Sequence, residues 1–223
     1  MPRHTVAADP LPAHPPSEFA RYDARSADLQ DRFEVHDCVI SGDLAELRAA
    51  GMHFESVYLE GFRVPAARIA RLSARATRWN DTEVSNADLS NSVWHDSRIT
   101  RSRLTGVNLG EATFRDVTLD NCKADLANFR YAKLRYVTFT ECVLRSADFG
   151  GARLAHVRFK DCDLTGALFS QARFEETDMR GSQLAGIAGL GELRGVTITS
   201  DQLTEISLAL AHHVGLTVDD RDH

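Results

Sequence analysis

Counting in fives from Leu89 to Leu184 lands on a large apolar side chain at 19 of 20 positions, Ala124 being the exception. Two residues before each of these centres, from Ala87 to Ser182, all 20 side chains are small or β-branched. The remaining three positions are mostly polar. Neither common element tolerates this period. In an α-helix a step of five rotates the side chain by about 140°, so the centres would not share a face. In a straight strand an odd step sends the side chain to the opposite face. The chain must therefore turn every five residues. Two residues separated by one point inward, as in a short strand, and the rest make a corner.

A second period lies inside the first. Cys122, Cys142 and Cys162 recur at every fourth pentapeptide, as do Phe129, Phe149 and Phe169, and Phe139 and Phe159. A coil with four sides, one pentapeptide to a side, would stack these residues as ladders, with neighbouring coils about 4.8 Å apart. The core would then be quasi-one-dimensional, each coil touching only its neighbours.

The motifs Ala87-Asp88-Leu89-Ser90-Asn91, Ala127-Asn128-Phe129-Arg130-Tyr131, Ala147-Asp148-Phe149-Gly150-Gly151 and Cys162-Asp163-Leu164-Thr165-Gly166 carry a resemblance. They resemble the A(D/N)LXX signature of pentapeptide-repeat proteins. The resemblance implies an all-β solenoid, a right-handed quadrilateral β-helix with four pentapeptides per coil. Followed backwards, the register reaches Phe54. The centres from Phe54 to Leu184 number 27, hence about seven coils. Leu72 and Phe62 are oversized for the small slot, so the early coils should be less regular.

Four segments are expected. Residues 1–27 hold five of the six prolines and read as a disordered Pro/Ala-rich tail. Residues 28–51 read as an N-terminal cap: a strand-like stretch over 33–40, then a short helix opened by the capping-box pattern Asp43-Leu44-Ala45-Glu46, covering the first coil with Leu44 and Leu47. Residues 52–186 are the repeat β-helix. Residues 187–223 hold a further irregular turn and a C-terminal helix opened by Thr199-Ser200-Asp201-Gln202, with Leu203, Ile206, Leu210 and Val214 on one stripe. Two readings stay open for that helix: a cap over the last coil, or a cap that also pairs two copies tail to tail as a homodimer.

Catalysis and metal binding are not expected. The cysteine ladder occupies a slot shared with Ala, Val, Ser and Thr, and no His joins it, so it reads as packing. The nine histidines show no ligand spacing. There is no phosphate-binding loop or nucleophile elbow. A filled β-helix core offers no cleft for paired carboxylates. The chain is read as having no enzyme activity, no cofactor and no metal. No stretch approaches the ~20 apolar residues of a membrane span, so no membrane partner is expected, and a cytoplasmic location is.

What remains is the outer surface and a macromolecular partner, in first place another protein. The best-known members of the resembled family are similar to double-stranded DNA in shape and charge, bind DNA gyrase and protect it from quinolones. That alternative role needs an acidic rod. Here residues 52–186 carry 19 Lys+Arg and 17 Asp+Glu, a net charge of +2, while residues 1–51 and 187–223 each carry -4. The acidity lies in the tails, and a +2 rod is a poor copy of a polyanion. Folding the outward residues onto four sides gathers Arg75, Arg115, Lys133, Arg135, Arg153 and Arg173 on one side, mixed with Asp96, Asp116, Glu175 and Glu176. Tyr131 and Tyr136 fall at neighbouring corners. This strip is the candidate interaction surface for an acidic partner.

Overall fold

The computed structural model describes residues 12–24, 29–44 and 46–219. Its strands are β1 (Ala20–Asp23), β2 (Glu34–Asp43), β3 (His53–Arg63), β4 (Ser73–Arg75), β5 (Arg78–Asn80), β6 (Val93–Thr100), β7 (Thr113–Asp120), β8 (Lys133–Thr140), β9 (Arg153–Ala155), β10 (Arg158–Lys160), β11 (Arg173–Glu175), β12 (Thr177–Asp178) and β13 (Val196–Thr197). One α-helix follows, α1 (Ser200–His213). Every strand pairing is parallel, and from β3 to β12 each residue faces its equivalent four pentapeptides on. The other two sides of each coil are joined by single parallel bridges such as Asn108↔Asn128 and Lys123↔Val143. The result is a parallel β-solenoid of about nine turns.

Both inward columns are buried along the repeat except at Phe174, which is half-buried. The aromatic ladder stacks face to face. Phe129 and Phe149 lie 4.8 Å apart and 1° from parallel, Phe149 and Phe169 5.2 Å and 12°, Phe139 and Phe159 4.9 Å and 7°. The two ladders meet edge to face, as Phe149 meets Phe159 at 5.8 Å and 85°. Small polar residues in the second column find partners inside. Trp79 and Trp94 donate Nε1–H to the hydroxyls of Thr77 and Ser92, two positions upstream, at 3.0 and 2.7 Å. Each cysteine of the ladder donates to the carbonyl two positions before it.

The corners explain the motif's Asp/Asn. The side chain before the centre accepts from the N–H after it: Asp88 from Ser90, Asn108 from Gly110, Asn128 from Arg130, Asp148 from Gly150, Asp163 from Thr165. This short Asx turn starts the bend. The next residue completes it. Every fifth residue from Arg71 to Gly186 has a positive φ, whatever its type. Left-handed backbone is costly for most L residues. The ladder offsets that cost, because corner N–H groups donate to carbonyls of the next coil, as Leu126 does to Arg145 and Tyr131 to Gly150.

The N-terminal end corrects the sequence reading. The expected short capping helix over 43–51 is not formed. Described residues there make another corner and side, with Leu47 and Ala49 buried and Arg48 bridged to Arg68. The repeat was hidden by slips in register. Val35 lies over Phe54, one position short of the full coil, and the full offset is restored between Ser41 and Asp43, at Gly42 with φ 101°. One step earlier the offset is two positions short, Ala20 facing Cys38. The expected disordered tail ends sooner than residue 27, since β1 is part of the sheet; residues 1–11 and 25–27 of that tail lie outside the described residues. These early turns and the last partial one, closed by β12 against β13, raise the expected seven coils to about nine.

The C-terminal helix caps the last coil with a different stripe from the one expected. Thr199 and Gln202 form the capping box. Gln202 is buried and its Nε2 donates to the carbonyls of Met179 at 2.7 Å and Ser182 at 2.6 Å, closing backbone groups that a further coil would have bonded. Ile206 is buried beside it and Leu210 packs on the core. Leu203 and Val214 instead face outward, 50% and 69% exposed. The apolar stripe rule misassigned them because the polar Gln202 takes the innermost position.

Candidate interaction surface

Sheet register builds the basic strip. On the side formed by β4, β6, β7, β8, β9 and β11, the column before the centres runs Ser73, Val93, Thr113, Lys133, Arg153, Arg173. The column after the centres runs Arg75, His95, Arg115, Arg135, Ala155, Glu175. All six cations of the strip are exposed. Lys133, Arg153 and Arg173 stand on three successive coils, so their Cα atoms are spaced by about 4.8 Å.

Several cations elsewhere on the rod are held in ion pairs. Arg101 bonds Asp81 at 2.8 Å, Arg130 bonds Asp148 at 3.0 Å and Arg180 bonds Asp178 at 2.8 Å. The Arg101 side chain, hydrogen-bonded to Asp81, holds that carboxyl below the usual carboxylate range. Among the described residues, Arg75, Lys133, Arg135, Arg153 and Arg173 make no ion pair; Arg115 contacts Asp116 at 3.3 Å. The positive potential of Lys133, Arg153 and Arg173 is thus left for solvent or a partner.

Tyr131 and Tyr136 sit at the two corners that bound the Lys133–Arg135 side. Tyr131 is 53% exposed and lies against Gly151 of the next coil, where a Cβ would come within 2.5 Å of its ring. Arg130 lies 5.3 Å over that ring. A shallow cleft of about 450 Å³ opens beside it, lined by Tyr131, Gly151, Arg153, Gln171, Arg173 and Glu192. Tyr136 is half-buried, with Arg135 5.1 Å over one side and the His156 ring stacked at 4.7 Å. The structure therefore brings both tyrosines and the basic columns onto one continuous surface. Neither tyrosine's stacking was legible in the sequence, because the partners, Gly151 and His156, belong to the next coil.

One group among the described residues has the atoms to hold a cation. His95, Asp96 and Asp116 place ligand atoms within 4.8 Å of one another. Their charges are already answered. His95 Nδ1 bonds Asp96 at 2.6 Å, Arg115 contacts Asp116, and Arg75 and Arg115 flank His95 in its ladder. The four cysteines are free thiols and buried. Burial pushes the Cys38 thiol up to about 11, with Asp37 adding to it. Contact with the sulfurs of Cys122 and Cys162, together with burial, holds the Cys142 thiol far above its ordinary range. Such thiols are poor nucleophiles and poor metal ligands.

Comparison with known proteins places the repeat. A family model described as a pentapeptide repeat region matches residues 92–169, and one described as pentapeptide repeats (8 copies) matches residues 158–187. No curated protein matches the chain in sequence. Among solved structures, the chain is similar to full-length QnrB1, a plasmid-mediated fluoroquinolone resistance protein, at 18% identity over 78% of this chain and 100% of that one, with a TM-score of 0.41. A trypsin-treated variant of QnrB1 gives 16% identity over 90% and 99%, with a TM-score of 0.43. HetL, involved in heterocyst differentiation regulation in the cyanobacterium Nostoc sp. strain PCC 7120, gives 16% identity over 76% and 91%, with a TM-score of 0.31.

Proposed function

We propose, from the pentapeptide repeats matched over residues 92–187, that the chain is a non-enzymatic scaffold whose basic strip docks an acidic surface of another protein. The observation that carries this reading is the ladder Lys133–Arg153–Arg173, three exposed cations on adjacent coils without a carboxylate partner. Like charges carried on adjacent coils repel one another, weakly where solvent and salt screen them. The core gains nothing from that arrangement, whereas a partner's carboxylates would relieve it. Asp96, Asp116, Glu175 and Glu176 along the same side favour a protein over nucleic acid. A phosphate backbone would meet those carboxylates, while a protein surface can place its own cations opposite them.

Charge reversal tests the reading. The triple variant Lys133→Glu, Arg153→Glu, Arg173→Glu should unfold at the temperature of the parent chain and lose a partner that the parent captures from cell extract. Equal capture by both proteins removes the strip from the interaction. We further infer that α1 pairs two copies, with the exposed Leu203 and Val214 at the contact; Leu203→Glu with Val214→Glu should then give a monomer by light scattering, and an unchanged mass removes that contact. No helix among the described residues is long and apolar enough to cross a membrane. We place the protein in the cytoplasm, where the buried thiols stay reduced.

A further inference from the structure

Two outward positions near the start of the solenoid are buried although their counterparts further along are not. Tyr58 belongs to an outward ladder that continues through Arg78 and Arg98 to Thr118. Tyr58 is 0% exposed and Arg78 3%, whereas Arg98 is exposed and Thr118 half-buried. The covering group over Tyr58 is the chain's own beginning. Tyr58 donates its hydroxyl to the Pro12 carbonyl at 2.7 Å, and the Phe19 ring meets the Tyr58 ring edge-on, at 5.9 Å and 75°. Pro15, Pro16 and Phe19 are half-buried. This segment, Pro12-Ala13-His14-Pro15-Pro16-Ser17-Glu18-Phe19, has no ladder of its own; parallel pairing begins only at Ala20. Beyond it the same face continues as a cleft of about 380 Å³, bordered by His14, Arg78, Arg98, Arg101, Thr100 and Asp120.

These features are those of peptide recognition on an aromatic floor. The seated segment bends at 13–14 and turns where the Phe19 N–H donates to the Pro16 carbonyl at 3.1 Å. A tyrosine that meets an aromatic ring and gives its hydroxyl to a backbone carbonyl suits such a proline-containing chain, whose fixed φ angles leave little entropy to lose on binding. We propose that Tyr58 forms the floor of a groove for a proline-containing segment of a partner protein, turned as Pro12–Phe19 is, and that Pro12–Phe19 is a built-in occupant that must leave before the partner binds. The groove lies on a different side from the basic strip and does not depend on it. The cleft beyond His14 gives an incoming peptide a place to start before it displaces the segment.

The test uses a fluorescent peptide with the sequence of residues 10–20, titrated into the full chain, into the Phe19→Ala variant and into the double variant Phe19→Ala with Tyr58→Phe. Phe19 lies outside the coils, so losing its edge-on contact with Tyr58 should lower the unfolding temperature by only a few degrees. Loosening the occupant should strengthen peptide binding at least ten-fold over the parent chain. Removing the Tyr58 hydroxyl should then weaken it several-fold, and a peptide with its prolines replaced by alanine should bind Phe19→Ala at least ten-fold more weakly. Hydrogen exchange provides the second readout: the amides of Ala13, His14, Ser17 and Glu18 should exchange faster in Phe19→Ala. Equal binding to all three proteins, equal binding of the proline-free peptide, or unchanged exchange in Phe19→Ala each overturns the proposal.

Discussion

Truncating Phe149 to alanine should strongly destabilise the rod. Its ring is fully buried, stacked between Phe129 and Phe169 and edge-on to Phe139 and Phe159. A buried aromatic removes about 150–250 Å² from water, worth roughly 4–6 kcal/mol at about 25 cal/mol per Å². The gap cannot close by collapse, because backbone ladders on every side fix the coil spacing. Measured core truncations of this kind cost about 3–5 kcal/mol, and we expect about 4 kcal/mol. In a chain of this size that is a fall of about 8–16 °C in Tm. The neighbouring Asp148→Ala is the control. Sequence alone suggests that it costs little, but Asp148 accepts from the Gly150 N–H at 2.7 Å. Losing that turn bond costs about 1 kcal/mol. The pair with exposed Arg130 adds little, since solvent screens it. Urea unfolding followed by circular dichroism measures both. A Phe149→Ala cost no greater than that of Asp148→Ala would refute the inward and outward assignment on which the whole reading rests.

Two further outcomes follow from chemistry already described. Ellman's reagent at pH 8 should find no fast-reacting thiol in the folded protein and four after denaturation, since burial raises Cys38, contact with the neighbouring sulfurs together with burial raises Cys142, and the core encloses all four; a rapid stoichiometric reaction of the native protein would contradict the packing role. Purified protein should leave gyrase supercoiling unchanged at low micromolar concentration, with or without a fluoroquinolone, because the rod is not a polyanion; inhibition or protection there would transfer the protein to the DNA-mimic class and make the acidic ends responsible.

The centre and small columns were legible in the sequence because burial selects side chains there by size. Phe129, Phe149 and Phe169 could not be placed otherwise. The first coils were illegible for the opposite reason. Their shortened offsets break the five-residue count, so Val35 and Ile40 fall out of phase and Asp43-Leu44-Ala45-Glu46 imitates a helix start. The strip was legible as composition, since Lys133, Arg153 and Arg173 follow the period of the coil. The absence of ion pairs at those three cations was not, because pairing depends on which carboxylate lies across a coil. The groove over Tyr58 was wholly hidden: nothing in a count of fives joins Pro12 and Phe19 to a tyrosine so much further along the chain.

The corners are the part of the fold in which sequence and conformation disagree most, and Leu126 isolates the disagreement. It is 64% exposed, has φ 59° and donates its N–H to Arg145. The same corner column holds Asn86, Gly106, Gly166 and Gly186, residues that suit left-handed backbone. Leucine there contributes little burial and carries a conformational cost of about 1–2 kcal/mol. Leu126→Asn should therefore stabilise the protein by about 1 kcal/mol, raising Tm by about 2–4 °C. Leu126→Gly should gain less, since glycine also loosens the unfolded chain by about 0.5–1 kcal/mol. The order Asn above Gly above Leu in urea midpoint would show that corner strain is real and is carried by the ladder. A lower midpoint for Leu126→Asn would mean that coil stacking relieves the strain entirely, and that any residue type stands at a corner without cost.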